Sequence, residues 1–183
     1  MKITKAVITA AGPDQKHLPL QTLVSSSGET KTVLALLIDE ALSAGIETVA
    51  IVIAPGTEHD FTSAVGSHLS HVTFIEQPQA QGFGHAIFCA KDFIADDPFL
   101  LLVGDHLYLS QAEKGCMQQL LDVANQETCS VSAVQATHES QLPYYGAVGG
   151  ARIPNASALY EINSTLEKPT PTEAEQKLSL IHI

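Results

Sequence analysis

The stretch QPQAQGFGHAIFCA at residues 77–90, followed by the apolar run FLLLVGD at residues 99–105, decides the fold. Two glycines, Gly82 and Gly84, lead directly into a helical pattern of apolar residues, and the apolar run ends in one carboxylate, Asp105. Glycines let a backbone approach a ligand closely, and open α/β sheets bind ligands at the carboxyl ends of their strands. This order therefore predicts a nucleotide site with a divalent cation at Asp105.

Outward from this stretch, strand-like and helix-like segments alternate. Short apolar runs bounded by Gly, Pro or Asp predict strands at residues 6–9, 48–53, 72–75, 99–103 and 129–134. Apolar residues at one-face spacing predict helices around residues 34–41, 57–65, 86–94 and 117–124. Strands that alternate with helices of this length predict βαβ units and a mostly parallel sheet covered on both faces.

Local signals set the expected helix boundaries. Thr57 and Asp60 are predicted to cap the second helix, and the Ser110–Glu113 capping box is predicted to start the fourth. Residues 25–31 are predicted to form a surface loop.

The pattern becomes irregular after about residue 137. Turns are expected around a short strand at residues 147–148. Residues 178–183, LSLIHI, alternate like a strand at the point where the chain stops. We expect one domain over residues 1–183, truncated at its C-terminus.

Composition narrows the class of protein. The 183 residues are 45% apolar, enough for a real core, and carry a formal charge of −11. A nucleic-acid partner is not expected, because its backbone calls for a basic surface. No apolar run is long enough for a membrane span, and the first residues lead directly into a strand, so a cytoplasmic protein is expected. The cysteines, Cys89, Cys116 and Cys129, are expected to be buried free thiols, which fits the same reducing compartment.

The loop after the first strand, Ala10-Ala11-Gly12, is the position where doubly wound sheets hold phosphates or bases with backbone N–H groups. A plain turn is the alternative interpretation. Neither G-x-G-x-x-G nor GxxxxGK[ST] is present, so common dinucleotide and P-loop sites are not supported.

Gln77 offers an amide donor and acceptor just past a predicted strand, with Gln79 and Gln81 as alternatives. Each could instead be an ordinary surface residue. Asp105 could be a helix cap or turn residue, and its neighbour His106 is expected to be exposed or hydrogen-bonded.

Taken in order, these fragments resemble the sugar-phosphate nucleotidylyltransferases, in particular their uridylyltransferases. The segments that carry the resemblance are KAVITAAG (5–12), HLP (17–19), EALSAGIETVAIV (40–52), EQPQAQGFGHAIFCAKDFIADDPF (76–99), LVGD (102–105), YYGAV (144–148) and EKPTP (167–171).

The resemblance implies a Rossmann-like three-layer sandwich with a mixed, mostly parallel sheet, of nucleotide-diphospho-sugar transferase type. It implies a reaction that joins UTP to a hexose 1-phosphate, glucose 1-phosphate being the best match, and releases pyrophosphate with Mg²⁺ as cofactor. A homo-oligomer is compatible with it. Carried over by position, Ala10, Ala11 and Gly12 would hold the nucleotide, while Gln77 and Gly82 would read the uracil.

The remaining roles carry over in the same way. Asp105 would be a ligand of Mg²⁺, and Gly146 would approach the sugar ring. Glu167 would hydrogen-bond sugar hydroxyls, and Lys168 would contact the sugar phosphate. Lys16 would supply a catalytic cation in the first loop. Without the resemblance, Glu167-Lys168-Pro169 would be interpreted as a solvated turn.

Two departures from the family pattern favour an alternative to the transferase activity. Leu20 follows Pro19 where the family has a phosphate-binding lysine, and the family's second metal-binding aspartate lies beyond Ile183. The alternative is a catalytically impaired relative that binds a nucleotide or nucleotide sugar in a regulatory or interaction role. In the enzyme hypothesis, Lys16 and Lys31 would help Mg²⁺ to neutralise the phosphates.

Overall fold

The computed structural model describes residues 2–12, 17–24, 28–154, 156 and 158–178, and the chain divides into two compact units, Met1–Ser132 and Ala133–Ile183. The elements of the first unit are, in chain order, β1 (Lys5–Thr9), β2 (Thr22–Val24), β3 (Thr30–Thr32), α1 (Val33–Ser43), β4 (Thr48–Ile53), α2 (Glu58–Val65), β5 (Val72–Glu76), α3 (Phe83–Cys89), α4 (Lys91–Ile94), β6 (Phe99–Val103) and α5 (Cys116–Glu127). Those of the second unit are β7 (Gly146–Arg152), β8 (Tyr160–Glu167) and α6 (Pro171–Lys177).

The first unit is an α/β sandwich around a four-stranded parallel sheet in the order β5-β4-β1-β6. β1 lies between β4 and β6, and its register places Thr9 opposite both Val52 and Val103. Since the strands are parallel, their carboxyl ends line one edge of the sheet. The predicted class, α/β with a mostly parallel sheet, is confirmed, and the strands at residues 48–53 and 99–103 have the predicted bounds.

Both faces of the sheet are covered, because alternate residues of each strand face opposite sides. On one face, Ala6 and Ile8 of β1 pack with the apolar sides of α1, α2 and α5. On the other, Val7 packs with Ala86 of α3 and with Ile94 of α4. This arrangement gives the three layers that the resemblance implies.

Three short-range predictions are wrong. Residues 129–134 form no strand. Among the described residues no strand pairs with this segment, and Val131 instead packs its side chain against the larger core. Residues 30 and 31 of the predicted loop belong to β3, which pairs antiparallel with β2, while residues 25–27 lie outside the described residues. Cys129 is exposed, and Cys89 and Cys116 are only partly buried, although all three are free thiols as predicted.

The predicted side-chain caps are also wrong, and at α5 a distant group takes the place of the predicted one. α5 begins after Gly115, and the Met117 N–H donates to Oε1 of Glu40 in α1 at 3.0 Å. Ser110 accepts instead from the Ala112 N–H. The Thr57 hydroxyl precedes α2 but donates to the Ala54 carbonyl at 2.7 Å and caps no N–H group.

The close approach of two strand ends depends on Gly104. Its N–H donates to the Thr9 carbonyl at 2.8 Å, which continues the pairing of β6 with β1 by one residue. A Cβ atom at position 104 would lie 2.9 Å from that carbonyl oxygen and 3.3 Å from Cγ of Pro19. The glycine therefore sets the path of the chain into Asp105.

The second unit contains an antiparallel hairpin of β7 and β8, with a register shift between Gly149 and Gly150. A Cβ atom on Gly150 would overlap the Glu161 carbonyl, so the bulge requires glycine there. The strand predicted at residues 147–148 is part of β7, whereas β8 and α6 were not anticipated. Leu178 follows α6 and is buried, and residues 179–183 of the predicted last strand lie outside the described residues.

Among the described helices, none is both long and apolar enough to span a bilayer.

We expect Glu40→Ala to lower the free energy of unfolding by about 1 kcal/mol, because it leaves the first turn of α5 without its acceptor. Glu113→Ala is the matched control, because the sequence pattern favours Glu113 as the capping residue whereas the structure shows it exposed. Urea denaturation followed by circular dichroism measures both. A larger loss for Glu113→Ala than for Glu40→Ala would show that the capping box starts the helix.

We expect Gly104→Ala to lower the free energy of unfolding by about 1–3 kcal/mol, since the methyl group would press on backbone that cannot move independently of β1. Gly84→Ala places a methyl group in open space within α3 and should leave stability unchanged or raise it by up to about 1 kcal/mol. The same denaturation experiment compares them. Equal stability of the Gly104→Ala variant and the unmodified protein would contradict the close approach.

Candidate functional site

Three predicted site segments lie at the carboxyl edge of the parallel sheet. Residues 10–12 follow β1, Gln77 follows β5, and Asp105 follows β6 after one intervening glycine. β5 and β6 are the outer strands, three strand spacings or about 14 Å apart. The edge therefore separates an amide group at one end from a carboxylate at the other, with the first loop between them.

The first loop begins as an extension of the sheet. The Ala10 N–H donates to the Val52 carbonyl at 2.8 Å, and the side chains of Ala10 and Ala11 are buried in opposite core clusters. Gly12 is half-buried. This packing fixes where the loop leaves the sheet. Lys16, the predicted catalytic cation, lies outside the described residues.

Gln77 is held rigidly beside Gly82. The residue is only 5% exposed, its backbone N–H donates to the Ile53 carbonyl at 2.8 Å, and its Nε2 donates to the Gly82 carbonyl at 3.1 Å. Gly82 adopts φ +93°, a conformation that favours glycine. The predicted partners Gln77 and Gly82 thus meet directly, and the burial of Gln77 distinguishes it from a surface glutamine.

Gln79 and Gln81, the alternatives to Gln77, are both exposed. The Gln81 amide donates to the side-chain oxygen of Gln79 at 2.8 Å. Gln77 is therefore the only glutamine of this segment that is buried at the strand end.

His85 of α3 also contacts Gln77, with Nδ1 at 3.1 Å from the amide Nε2 and 3.1 Å from the Gln79 carbonyl. Its other ring nitrogen lies 3.9 Å from Sγ of Cys89. The imidazole therefore restricts the Gln77 side chain from the α3 side.

Asp105 is partly exposed at the end of β6, with 31% of its side chain accessible. Its Oδ1 lies 2.9 Å from Nδ1 of His106, and so His106 is both exposed and hydrogen-bonded, as expected. The His106 ring is stacked on that of Tyr108, with centroids 6.4 Å apart and planes at 21°. Burial raises the pKa of the Tyr108 hydroxyl, and the charge of Asp105 raises it further.

The single carboxylate of Asp105 fits a metal ion whose other ligands come from a substrate and from water. Within the described ranges, no three His, Cys, Asp or Glu side chains are grouped so as to enclose a metal. Mg²⁺ is commonly held by one or two carboxylates, with substrate phosphates and water completing its shell. A single partly exposed carboxylate at a ligand-binding sheet edge matches that mode.

Lys31, which the enzyme hypothesis assigns to the phosphates, and Leu20, which favours the alternative, both make contacts elsewhere. Nζ of Lys31 lies 2.7 Å from Asp39 and 3.8 Å from Glu29, and the hydrogen bond to Asp39 raises the pKa of Lys31. Leu20, where the resemblance implies a phosphate-binding lysine in other members of the family, packs against the larger core cluster. Lys31 is thus already neutralised, and Leu20 contributes to packing.

The second unit brings its three predicted residues together at one end of the β7–β8 hairpin. Gly146 pairs with Glu167, whose Oε2 lies 3.4 Å from where a Cβ of Gly146 would stand. The Lys168 N–H donates to the Tyr145 carbonyl at 3.1 Å, and its Nζ is 3.9 Å from Glu167. Both charged side chains are largely exposed.

Lys168 has φ +47°, which is uncommon for a residue with a side chain and is held here although Pro169 follows. Such strained residues concentrate at functional sites. The conformation supports a specific role for this turn.

Three supporting residues, Gly104, His85 and Tyr108, were not identified from the sequence. Gly104 could have been identified from the sequence, because it stands directly between the apolar run of β6 and the carboxylate of Asp105. The contacts of His85 and Tyr108 arise only from the folded chain.

The profile of the nucleotidyl transferase family matches residues 16–180. The chain is 28% identical to the UTP–glucose-1-phosphate uridylyltransferase of Bacillus subtilis strain 168, over 98% of this chain and 69% of that protein. It is 27% identical to the enzyme of the same name from Pseudomonas aeruginosa, over 98% of this chain and 73% of that protein.

Solved structures share the fold. A UDP-glucose pyrophosphorylase in complex with UDP-glucose superposes with a TM-score of 0.79 at 22% identity, over 94% of this chain and 71% of that one. The UTP-bound enzyme from Acinetobacter baumannii gives a TM-score of 0.72 at 23% identity, over 93% and 69%.

The family profile covers most of the chain, and the solved structures share its fold. On these findings the chain belongs to the nucleotidyl transferase family.

Proposed function

We propose that this protein transfers the uridylyl group of UTP to a hexose 1-phosphate, with glucose 1-phosphate as the first candidate, and releases pyrophosphate. The observation that carries the proposal is the direct hydrogen bond between buried Gln77 and Gly82 at the same sheet edge as Asp105. The curated relatives that carry the name of this activity support it.

The Gln77 and Gly82 pair suits recognition of uracil. The base presents an N–H donor between two carbonyl acceptors, and the amide oxygen of Gln77 would accept a hydrogen bond from that N–H. Because Gln77 is buried and bonded on the strand side, little side-chain entropy is lost on binding. The first loop, Ala10 to Gly12, would lie along the nucleotide between its base and its phosphates.

Asp105 would hold Mg²⁺ together with the triphosphate, and the ion would neutralise charge on the transferred phosphate and on the leaving pyrophosphate. Without such a cation the carboxylate would repel the phosphates. At 4 Å and an effective dielectric constant of about 20, each pair of unit charges costs on the order of 4 kcal/mol. Asp105 is therefore a metal-dependent binding residue.

The hairpin end of the second unit would bind the sugar phosphate. Glu167 would accept hydrogen bonds from sugar hydroxyls, and Lys168 would donate to the phosphate. Gly146 would let the sugar ring approach the backbone where a side chain would obstruct it.

The chemistry is an in-line displacement at phosphorus. An oxygen of the sugar phosphate bonds to the α-phosphorus of UTP, the bond from that phosphorus to the bridging β-phosphate oxygen breaks, and pyrophosphate leaves with the electron pair. The residues act mainly by positioning and by charge stabilisation. Lys16, on the first loop, would add a cation to the phosphates.

Pyrophosphate release from UTP and glucose 1-phosphate, measured with Mg²⁺ and with excess EDTA, tests the activity. We expect release that requires both substrates and the metal, with UDP-glucose formed in equal amount, and a loss of at least 100-fold for Asp105→Asn. UTP binding without pyrophosphate release from any hexose 1-phosphate would overturn the transferase proposal.

We expect Gln77→Ala and Lys168→Asn to affect different substrates. Loss of the buried amide should raise the KM for UTP by about 5- to 100-fold and reduce discrimination against CTP, because one base contact is lost. Loss of the lysine charge should instead raise the KM for glucose 1-phosphate, and asparagine tolerates the positive φ at this position. Steady-state kinetics with each substrate varied measures both.

Gln126→Ala and Lys177→Asn serve as matched controls, since both residues are exposed and lie on helices that carry none of the predicted site residues. Each control should match the unmodified protein. If Gln77→Ala altered only the KM for the sugar phosphate, the assignment of Gln77 to binding of the uracil base would be wrong.

A further inference from the structure

The contact between Asp105 and His106 has a defined chemical direction. An ionised carboxylate only accepts hydrogen bonds, so at 2.9 Å from Oδ1 the Nδ1 atom of His106 must carry the proton. In the neutral ring Nε2 is then unprotonated. The hydrogen bond limits rotation of the Asp105 carboxylate about its Cβ–Cγ bond.

The imidazole is itself held in place. Its ring stacks on Tyr108 with centroids 6.4 Å apart and planes at 21°, within the range of offset stacking. Tyr108 is partly buried and packs against the larger core cluster. A chain of contacts thus runs from the core through Tyr108 and His106 to the carboxylate.

It is unusual for an exposed histidine such as His106 to be held in one orientation. Its side chain is 55% exposed, where a histidine would ordinarily turn freely in solvent. The molecule contains a second adjacent histidine–aspartate pair, His59 and Asp60, which shows the difference. There the separation is 3.5 Å, and both side chains are largely exposed.

We propose that His106 is a positioning residue that orients the Asp105 carboxylate for the divalent cation brought by the nucleotide. The inference rests on the proposed function, because it takes Asp105 to be a metal ligand. Ligating carboxylates are themselves commonly hydrogen-bonded, and loss of such an outer partner lowers metal affinity. His106 would therefore act on the metal through Asp105 without touching the substrate.

The test has one readout without metal and one with it. In the metal-free protein, ¹⁵N NMR of the histidine rings, assigned by the signal lost in His106→Asn, should show the Nδ1–H tautomer for His106. The Asp105→Ala variant should shift that tautomer toward Nε2–H. A wild-type His106 found as the Nε2–H tautomer would overturn the proposal.

The second readout is Mn²⁺ affinity in the presence of UTP, measured by electron paramagnetic resonance. His106→Ala should weaken it by about 10- to 100-fold. His106→Asn should stay within about threefold of wild type, because the asparagine Nδ2 can donate to the same oxygen. His59→Ala is the matched control and should have no effect. UTP affinity in EDTA should be unchanged in every variant.

Failure of the role inferred for His106 and failure of the proposed function give different results. If the wild type binds Mn²⁺ with UTP and His106→Ala binds it equally well, the role of His106 is wrong while the proposed function stands. If the wild type shows no Mn²⁺-dependent UTP binding, the proposed function fails, and the role of His106 fails with it.

Discussion

The pairing of the last residue of β1 with its neighbours is the constraint on which the site depends. The Thr9 carbonyl accepts the Gly104 N–H, and Ala10 donates to Val52, so the chain leaves three adjacent strands at nearly the same height. Only a residue without a Cβ atom permits the approach at position 104. Backbone hydrogen bonds thereby fix the start of the first loop relative to the segment that leads into Asp105, and no side-chain conformational entropy is lost in doing so.

The two faces of the sheet support different segments around its carboxyl edge. The larger core, built on α1, α2 and α5, also receives Leu20 and Tyr108, and so it anchors the segments that precede and follow the sheet edge. The smaller core supports α3, which begins after Gly82 and carries His85, and both residues contact Gln77. Residues of both outer strands, β5 and β6, pack into both clusters, so each end of the edge is supported from both faces of the sheet.

Sequence reasoning succeeded where periodicity and turn residues decide the outcome. The buried runs TVAIVI and FLLLV became strands with the predicted bounds, and residues 77, 82 and 105 were identified as candidates and lie at the same sheet edge. It failed where a distant group decides. Glu40 caps a helix 77 residues away, a pairing that no local pattern shows. Residues 129–134 have strand-like composition, yet a strand also requires a neighbour, and β8 was missed because its polar run gains strand structure only by pairing with β7.

The central claim is that UTP lies across this sheet edge, with its base at Gln77 and its phosphates at Asp105. Paramagnetic relaxation measured on backbone amides, with Mn²⁺ replacing Mg²⁺ in the UTP complex, tests it most directly. The account predicts the strongest broadening at residues 104–106, with Gln77 and Gly82 shifting on UTP addition but broadening less across about 14 Å of sheet. Broadening centred away from the carboxyl edge, or unshifted signals at Gln77 and Gly82, would contradict it.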